Sequence, residues 1–179
     1  VSILGDSGST YRYYIPDGYP YFYPYPTSDF GDVNQTWWMR VVNDLGMKLL
    51  KNNSCSGSCV SEGTGSTNTV TDGRLKHLID GTTTPDIVII FMGANDCGSA
   101  NVKLETFKNS YKVMIEKVQA LCPNAELYIM TLPTLGMYED DQKELYNEVI
   151  REYVEEYKLN LVELTHIYTK ETYSNYSLD

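Results

Sequence analysis

Short apolar runs alternate along this chain with longer stretches in which apolar residues recur every three or four positions. Residues 1–4, Val-Ser-Ile-Leu, stop at Gly5-Asp6-Ser7-Gly8, as a buried strand emptying into a loop does. From Asn34 or Thr36 to about Leu50, the residues Trp37, Trp38, Val41, Val42, Leu45 and Leu49 follow helical spacing, with Gly46 as a break before a short strand near 48–52. A helix over 72–79 follows, and then 87–92, Ile-Val-Ile-Ile-Phe-Met, a β-branched run apolar on both faces, which suits a central parallel strand covered on each side. Phe107, Tyr111, Met114, Val118 and Leu121 form the stripe of an amphipathic helix that ends at Cys122-Pro123-Asn124. A strand over 126–131, a helix over 140–157 with Leu145, Val149, Tyr153 and Tyr157 on one face, and a fifth strand over 161–164 complete the series. Strand and helix alternate, so the expectation is an α/β chain: one parallel five-stranded sheet, helices on both faces, and functional groups at the strands' C-terminal ends. Neither a repeat nor a domain boundary interrupts 1–179.

Two stretches break this rhythm. Residues 11–26 are rich in Tyr and carry four prolines, Pro16, Pro20, Pro24 and Pro26, which excludes a regular helix. Residues 53–71 are rich in Ser, Gly, Thr and Asn and read as a long functional loop.

Charge narrows the partners. A formal net charge of -10 repels phosphate backbones, so nucleic acid is not expected as a partner, and no run has the length of a membrane span. Four cysteines, Cys55, Cys59, Cys97 and Cys122, contain no C-x-x-C pair and only two histidines accompany them, so no metal site is expected and free thiols are the favoured state. Neither the compartment nor the oligomeric state is legible.

The chemistry concentrates after three of the predicted strands: Gly5-Asp6-Ser7 after the first, Asn53-Ser54-Cys55-Ser56-Gly57-Ser58 after the second, and Gly93-Ala94-Asn95-Asp96 after the third. Alone, each is an ordinary loop sequence whose Asp and Ser cap backbone groups. In this order, at successive strand ends, they resemble the first three sequence blocks of the SGNH (GDSL-type) hydrolases, a likeness that runs over essentially the whole chain. The Gly-x-Ser-x-Gly elbow of the α/β-hydrolases is absent.

The resemblance implies a three-layer α/β/α sandwich of flavodoxin-like type and a serine esterase needing no cofactor. Ser7 would be the nucleophile, and the Ser7 N–H, the Gly57 N–H and the Asn95 amide would be the donors to the oxyanion. Asp6 and Asp96 are expected to hold their loops through backbone N–H groups. The family's last block is Asp-x-x-His. Glu163-Leu164-Thr165-His166 has the spacing, but residues three apart on a strand point to opposite faces. Tyr176-Ser177-Leu178-Asp179 looks instead like the start of that block, which makes Asp179 the expected catalytic acid, with its histidine and the last helix beyond the sequence. His166 is then an ordinary strand-end residue and His77 a surface group. The substrate expected is a small-molecule or carbohydrate ester with a short acyl group, since tyrosine faces suit sugar rings. A lipase or lysophospholipase-like acylhydrolase, or an inactive sugar-binding relative, is the alternative.

Overall fold

The computed structural model describes residues 1–24, 31–62, 65–70 and 72–167. Five strands, β1 (Ser2–Gly5), β2 (Lys51–Ser54), β3 (Ile87–Phe91), β4 (Glu126–Met130) and β5 (Asn160–Val162), form one sheet in the order β2-β1-β3-β4-β5, with every pair parallel. The helices are α1 (Trp37–Asp44), α2 (Asp72–Leu75), α3 (Ala94–Cys97), α4 (Leu104–Leu121) and α5 (Asp140–Glu156).

Strand alternation sorts the core into two layers. Leu4, Val88, Ile90, Leu127 and Ile129 face one way, against Phe107, Tyr111, Met114 and Val118 of α4 and Tyr146, Ile150 and Tyr153 of α5. Ile3, Ile89 and Met130 face the other way, against Trp38 and Val42 of α1 and Tyr11 of the Tyr-rich segment. This is the expected three-layer α/β/α architecture.

Several element limits differ from the periodicity. Helix α1 stops at Asp44, and Leu45 lies 65% exposed, because a tight turn at positive-φ Gly46 follows. The second strand runs over Lys51–Ser54, not 48–52. Residues 72–79 divide into the short α2 and a 3-10 turn, Lys76–Leu78. The fifth strand begins at Asn160 and ends at Val162. On α5 the inward residue is Tyr146, while Leu145 is half exposed. Val149 and Tyr153 face the core as expected, and only at the first turn does Tyr146 replace Leu145, closing an aromatic contact with Phe107 at 4.6 Å between centroids. All four cysteines are free and buried. Among the described residues, no helix is long and apolar enough to cross a membrane.

Candidate active site

Registration of the sheet brings three loops to one end. Gly5 of β1 pairs with Ser54 of β2 on one side and Phe91 of β3 on the other, so the C-terminal ends of these strands lie level. Ser7 follows the first end by two residues, Gly57 the second by three and Asn95 the third by four.

Ser7 opens a 3-10 turn, Ser7–Ser9, capped by Asp6, whose Oδ1 accepts from Gly8 N at 3.2 Å. The Ser7 carbonyl accepts from both Thr10 N (3.1 Å) and Thr10 Oγ1 (2.8 Å). The turn is thus fixed on both sides of a half-buried serine whose hydroxyl and N–H have no hydrogen-bond partner among the described residues.

The second loop leaves β2 through Cys55, whose N–H donates to Gly5 O at 3.2 Å. Gly57 is exposed, with φ +72°, a left-handed conformation that a Cβ would strain. Its carbonyl accepts from Ser66 N at 2.9 Å, and its own N–H is unengaged among the described residues. The loop is also bound to the Tyr-rich segment, since Ser56 N donates to Pro20 O at 2.9 Å.

The third loop enters α3 through Gly93 at φ +122°, where a Cβ would also come within 3.1 Å of the Phe107 ring. Asn95 Nδ2 donates to Ser58 O at 2.8 Å. The neighbouring Asp96 is buried and its two oxygens each accept a backbone N–H, from Val60 and Ser61, at 2.8 Å. Side chains of the third loop therefore hold the backbone of the second immediately after Gly57.

Electrostatics around Ser7 are set by burial. Asp6 is 5% exposed; desolvation pushes its carboxyl up to about 6, against the opposing pull of the Gly8 N–H and the Arg74 guanidinium. Burial likewise raises Asp96, and its hydrogen bonds to Ser61 and Val60 offset part of that rise.

Of the C-terminal candidates, Glu163 and His166 lie among the described residues. Glu163 accepts from Thr131 Oγ1 (2.7 Å), Thr165 Oγ1 (2.8 Å) and Arg151 Nε (2.9 Å). Burial pushes its carboxyl upward, but the hydrogen bonds from Arg151, Thr131 and Thr165 outweigh this and bring it to about 2. His166 lies exposed on the turn that follows, and His77 is exposed with its ring edge-on to Tyr19 at 5.7 Å between centroids. Asp179 lies outside the described residues.

Two groups escaped the sequence reading. Asn52 and Asn53 are buried in β2 and donate to Ser9 O (2.9 Å) and Arg74 O (2.8 Å), so polar side chains bind the loops to the sheet. Arg74 itself, in a run of charged and polar residues, is 1% exposed. No periodicity signals either.

Among known proteins, the GDSL-like Lipase/Acylhydrolase family matches residues 1–177. Two solved structures assigned as GDSL-like lipases are similar to this chain. That from Bacteroides ovatus is 29% identical, with TM-score 0.70, covering 94% of this chain and 86% of the other. That from Bacteroides uniformis is 25% identical, with TM-score 0.67, covering 94% and 84%. A family two carbohydrate esterase from Clostridium thermocellum, solved with cellohexaose, shares the fold at 17% identity and TM-score 0.66, covering 92% of this chain and 53% of that one. No curated protein matches the sequence.

Proposed function

Because the chain belongs to the GDSL-like lipase/acylhydrolase family and is a hydrolase of that kind, we propose that it is a serine esterase that removes short acyl groups from carbohydrate, with Ser7 as nucleophile. The observation that carries this reading is the group of donors at one end of the sheet. The Ser7 hydroxyl and N–H and the Gly57 N–H are all unengaged among the described residues, while Asn95 spends one amide hydrogen on Ser58 O and keeps another.

In the reaction the Ser7 oxygen attacks the ester carbonyl, and the negative charge that develops on the carbonyl oxygen is met by the Ser7 N–H, the Gly57 N–H and the Asn95 amide. Loss of the alcohol leaves an acyl-serine that water hydrolyses. Asp179 is the carboxylate that orients and stabilises the proton-accepting imidazole. What speaks against Glu163 in that role is that its oxygens already accept from Thr131, Thr165 and Arg151.

Carbohydrate is favoured by the Tyr-rich segment, which Ser56 N ties to the Gly57 loop and which exposes the rings of Tyr13, Tyr14 and Tyr21. Aromatic faces beside hydroxyl edges suit sugar rings. The fold shared with an esterase solved with cellohexaose agrees with this. The test is hydrolysis of acetylated oligosaccharides, p-nitrophenyl acetate and p-nitrophenyl palmitate by the full-length protein beside Ser7→Ala. Activity on the acetates that disappears in Ser7→Ala supports the reading. Preference for palmitate refutes the substrate class, and full activity of Ser7→Ala refutes the nucleophile.

A further inference from the structure

Arg74, on α2, reaches the ends of all three strands that carry the proposed catalytic groups. Its Nη2 donates to Gly5 O of β1 at 2.6 Å and to Asn53 O of β2 at 3.3 Å, and lies 3.8 Å from Sδ of Met92, the residue after β3. Asn53 Nδ2 returns a bond to the Arg74 carbonyl at 2.8 Å, so backbone and side chain are both fixed.

This is a cation in an unusual state. It is 1% exposed, no carboxylate among the described residues lies within ion-pair distance, and its Nε and Nη1 have no hydrogen-bond partner. Burying a guanidinium without a counter-charge is costly, and an apolar side chain of similar volume would fill the space without that cost. Asp6, buried beside Ser7, attracts the guanidinium without forming an ion pair with it. The bonds made go to strand-end carbonyls, and the guanidinium has no salt-bridge partner among the described residues.

We propose that Arg74 is a positioning residue of the hydrolytic site: it braces the three strand ends and holds a positive charge that has no salt-bridge partner among the described residues behind the loops of Ser7, Gly57 and Asn95, favouring the anionic tetrahedral intermediate over the neutral ester. The inference rests on the reading of those three residues as nucleophile and oxyanion donors. A fixed charge in a low-dielectric site needs no reorganisation as the anion forms, so its effect falls on the chemical step more than on ester binding.

The experiment compares the full-length protein with Arg74→Lys, Arg74→Met and Ser7→Ala, using p-nitrophenyl acetate turnover, affinity for a phenylboronic acid that forms a tetrahedral anion on the serine, and thermal denaturation. The expected result for Arg74→Met is a fall in kcat of about 10- to 100-fold, smaller than for loss of a direct donor, with KM within about twofold. Boronate affinity should weaken in parallel, and Arg74→Lys should recover most of both. A folded Arg74→Met with unchanged kcat and boronate affinity, beside an inactive Ser7→Ala, overturns the role of Arg74 alone. Full activity in Ser7→Ala marks the failure of the serine reading instead. If neither Arg74 variant folds, the residue is a structural one and the proposal is overturned.

Discussion

Asn95 Nδ2 donates to the carbonyl oxygen of Ser58 at 2.8 Å, so the amide at the third strand end is held by the residue that follows Gly57. One bond thereby fixes two of the three proposed oxyanion donors relative to each other. An asparagine amide has two hydrogens, and the second remains for a substrate oxygen.

Asn95→Ala removes both bonds, and the expected outcome is a loss in kcat of about 100- to 1,000-fold with a smaller change in KM. Asn95→Asp should be at least as impaired, because a carboxylate oxygen would then face the Ser58 carbonyl. Steady-state kinetics on p-nitrophenyl acetate check both, and an Asn95→Asp variant as active as wild type would remove Asn95 from the mechanism.

Asp96 makes a different prediction, on stability. Each of its oxygens accepts one buried N–H, from Val60 or Ser61. In Asp96→Asn one acceptor becomes an NH2 facing a donor, leaving a buried N–H unpaired at a cost of about 2–3 kcal/mol. For a chain of this size that lowers Tm by about 4–12 °C. Thermal denaturation measures it, and activity should fall as well, because the Gly57 loop loses its anchor.

How much of this was legible depended on how each residue is satisfied. Strand β3 was plain, because Val88, Ile89 and Ile90 are buried against both layers and only an apolar run can occupy that place. Strand β2, Lys-Asn-Asn-Ser, was displaced towards Leu49 and Leu50, because its buried residues are polar and their partners, Ser9 O and Arg74 O, are distant in sequence. The inward choice of Tyr146 over Leu145 is equally hidden, since both fit an apolar stripe and the contacts that favour Tyr146, with the Phe107 ring and the Val102 carbonyl, are distant in sequence. Ser7, Gly57 and Asn95 are proposed from motif resemblance, and the sheet register brings their loops to one end of the sheet. Nothing local in the sequence marks Arg74 as buried, because its partners are the carbonyls of Gly5 and Asn53, distant along the chain.

His166 offers a test of the acid–base assignment. The Glu163 carboxylate, brought to about 2, is occupied by Arg151, Thr131 and Thr165 and so is poorly placed to orient an imidazole. His166→Ala should retain kcat and KM within about twofold, as surface substitutions away from a site do. Asp179→Asn should reduce kcat by orders of magnitude, as loss of an orienting carboxylate does in serine hydrolases. The opposite pattern in the same kinetic assay would make His166 the base and remove Asp179 from the mechanism.

Asp6 predicts a pH dependence with a definite sign. Its carboxyl is raised from 3.8 to about 6 by burial, so the folded state holds the proton more tightly than the unfolded state. The stability this proton confers is full below about pH 3.8, falls as pH rises through about 6, and is constant above that. A rise of about two pKa units corresponds to a loss on the order of 3 kcal/mol. Asp6→Asn keeps an oxygen to accept from Gly8 N and has no charge to bury. Denaturant unfolding of both proteins from about pH 4 to pH 7.5 should therefore show wild type losing stability relative to Asp6→Asn across the lower half of that range. The two curves should run parallel above it. Glu163 shifts in the other direction and titrates alike in both proteins, so it cancels from the difference. A difference that is flat throughout would mean that Asp6 is ionised in the fold at its ordinary pH, with the Arg74 guanidinium compensating its burial more fully than the geometry indicates.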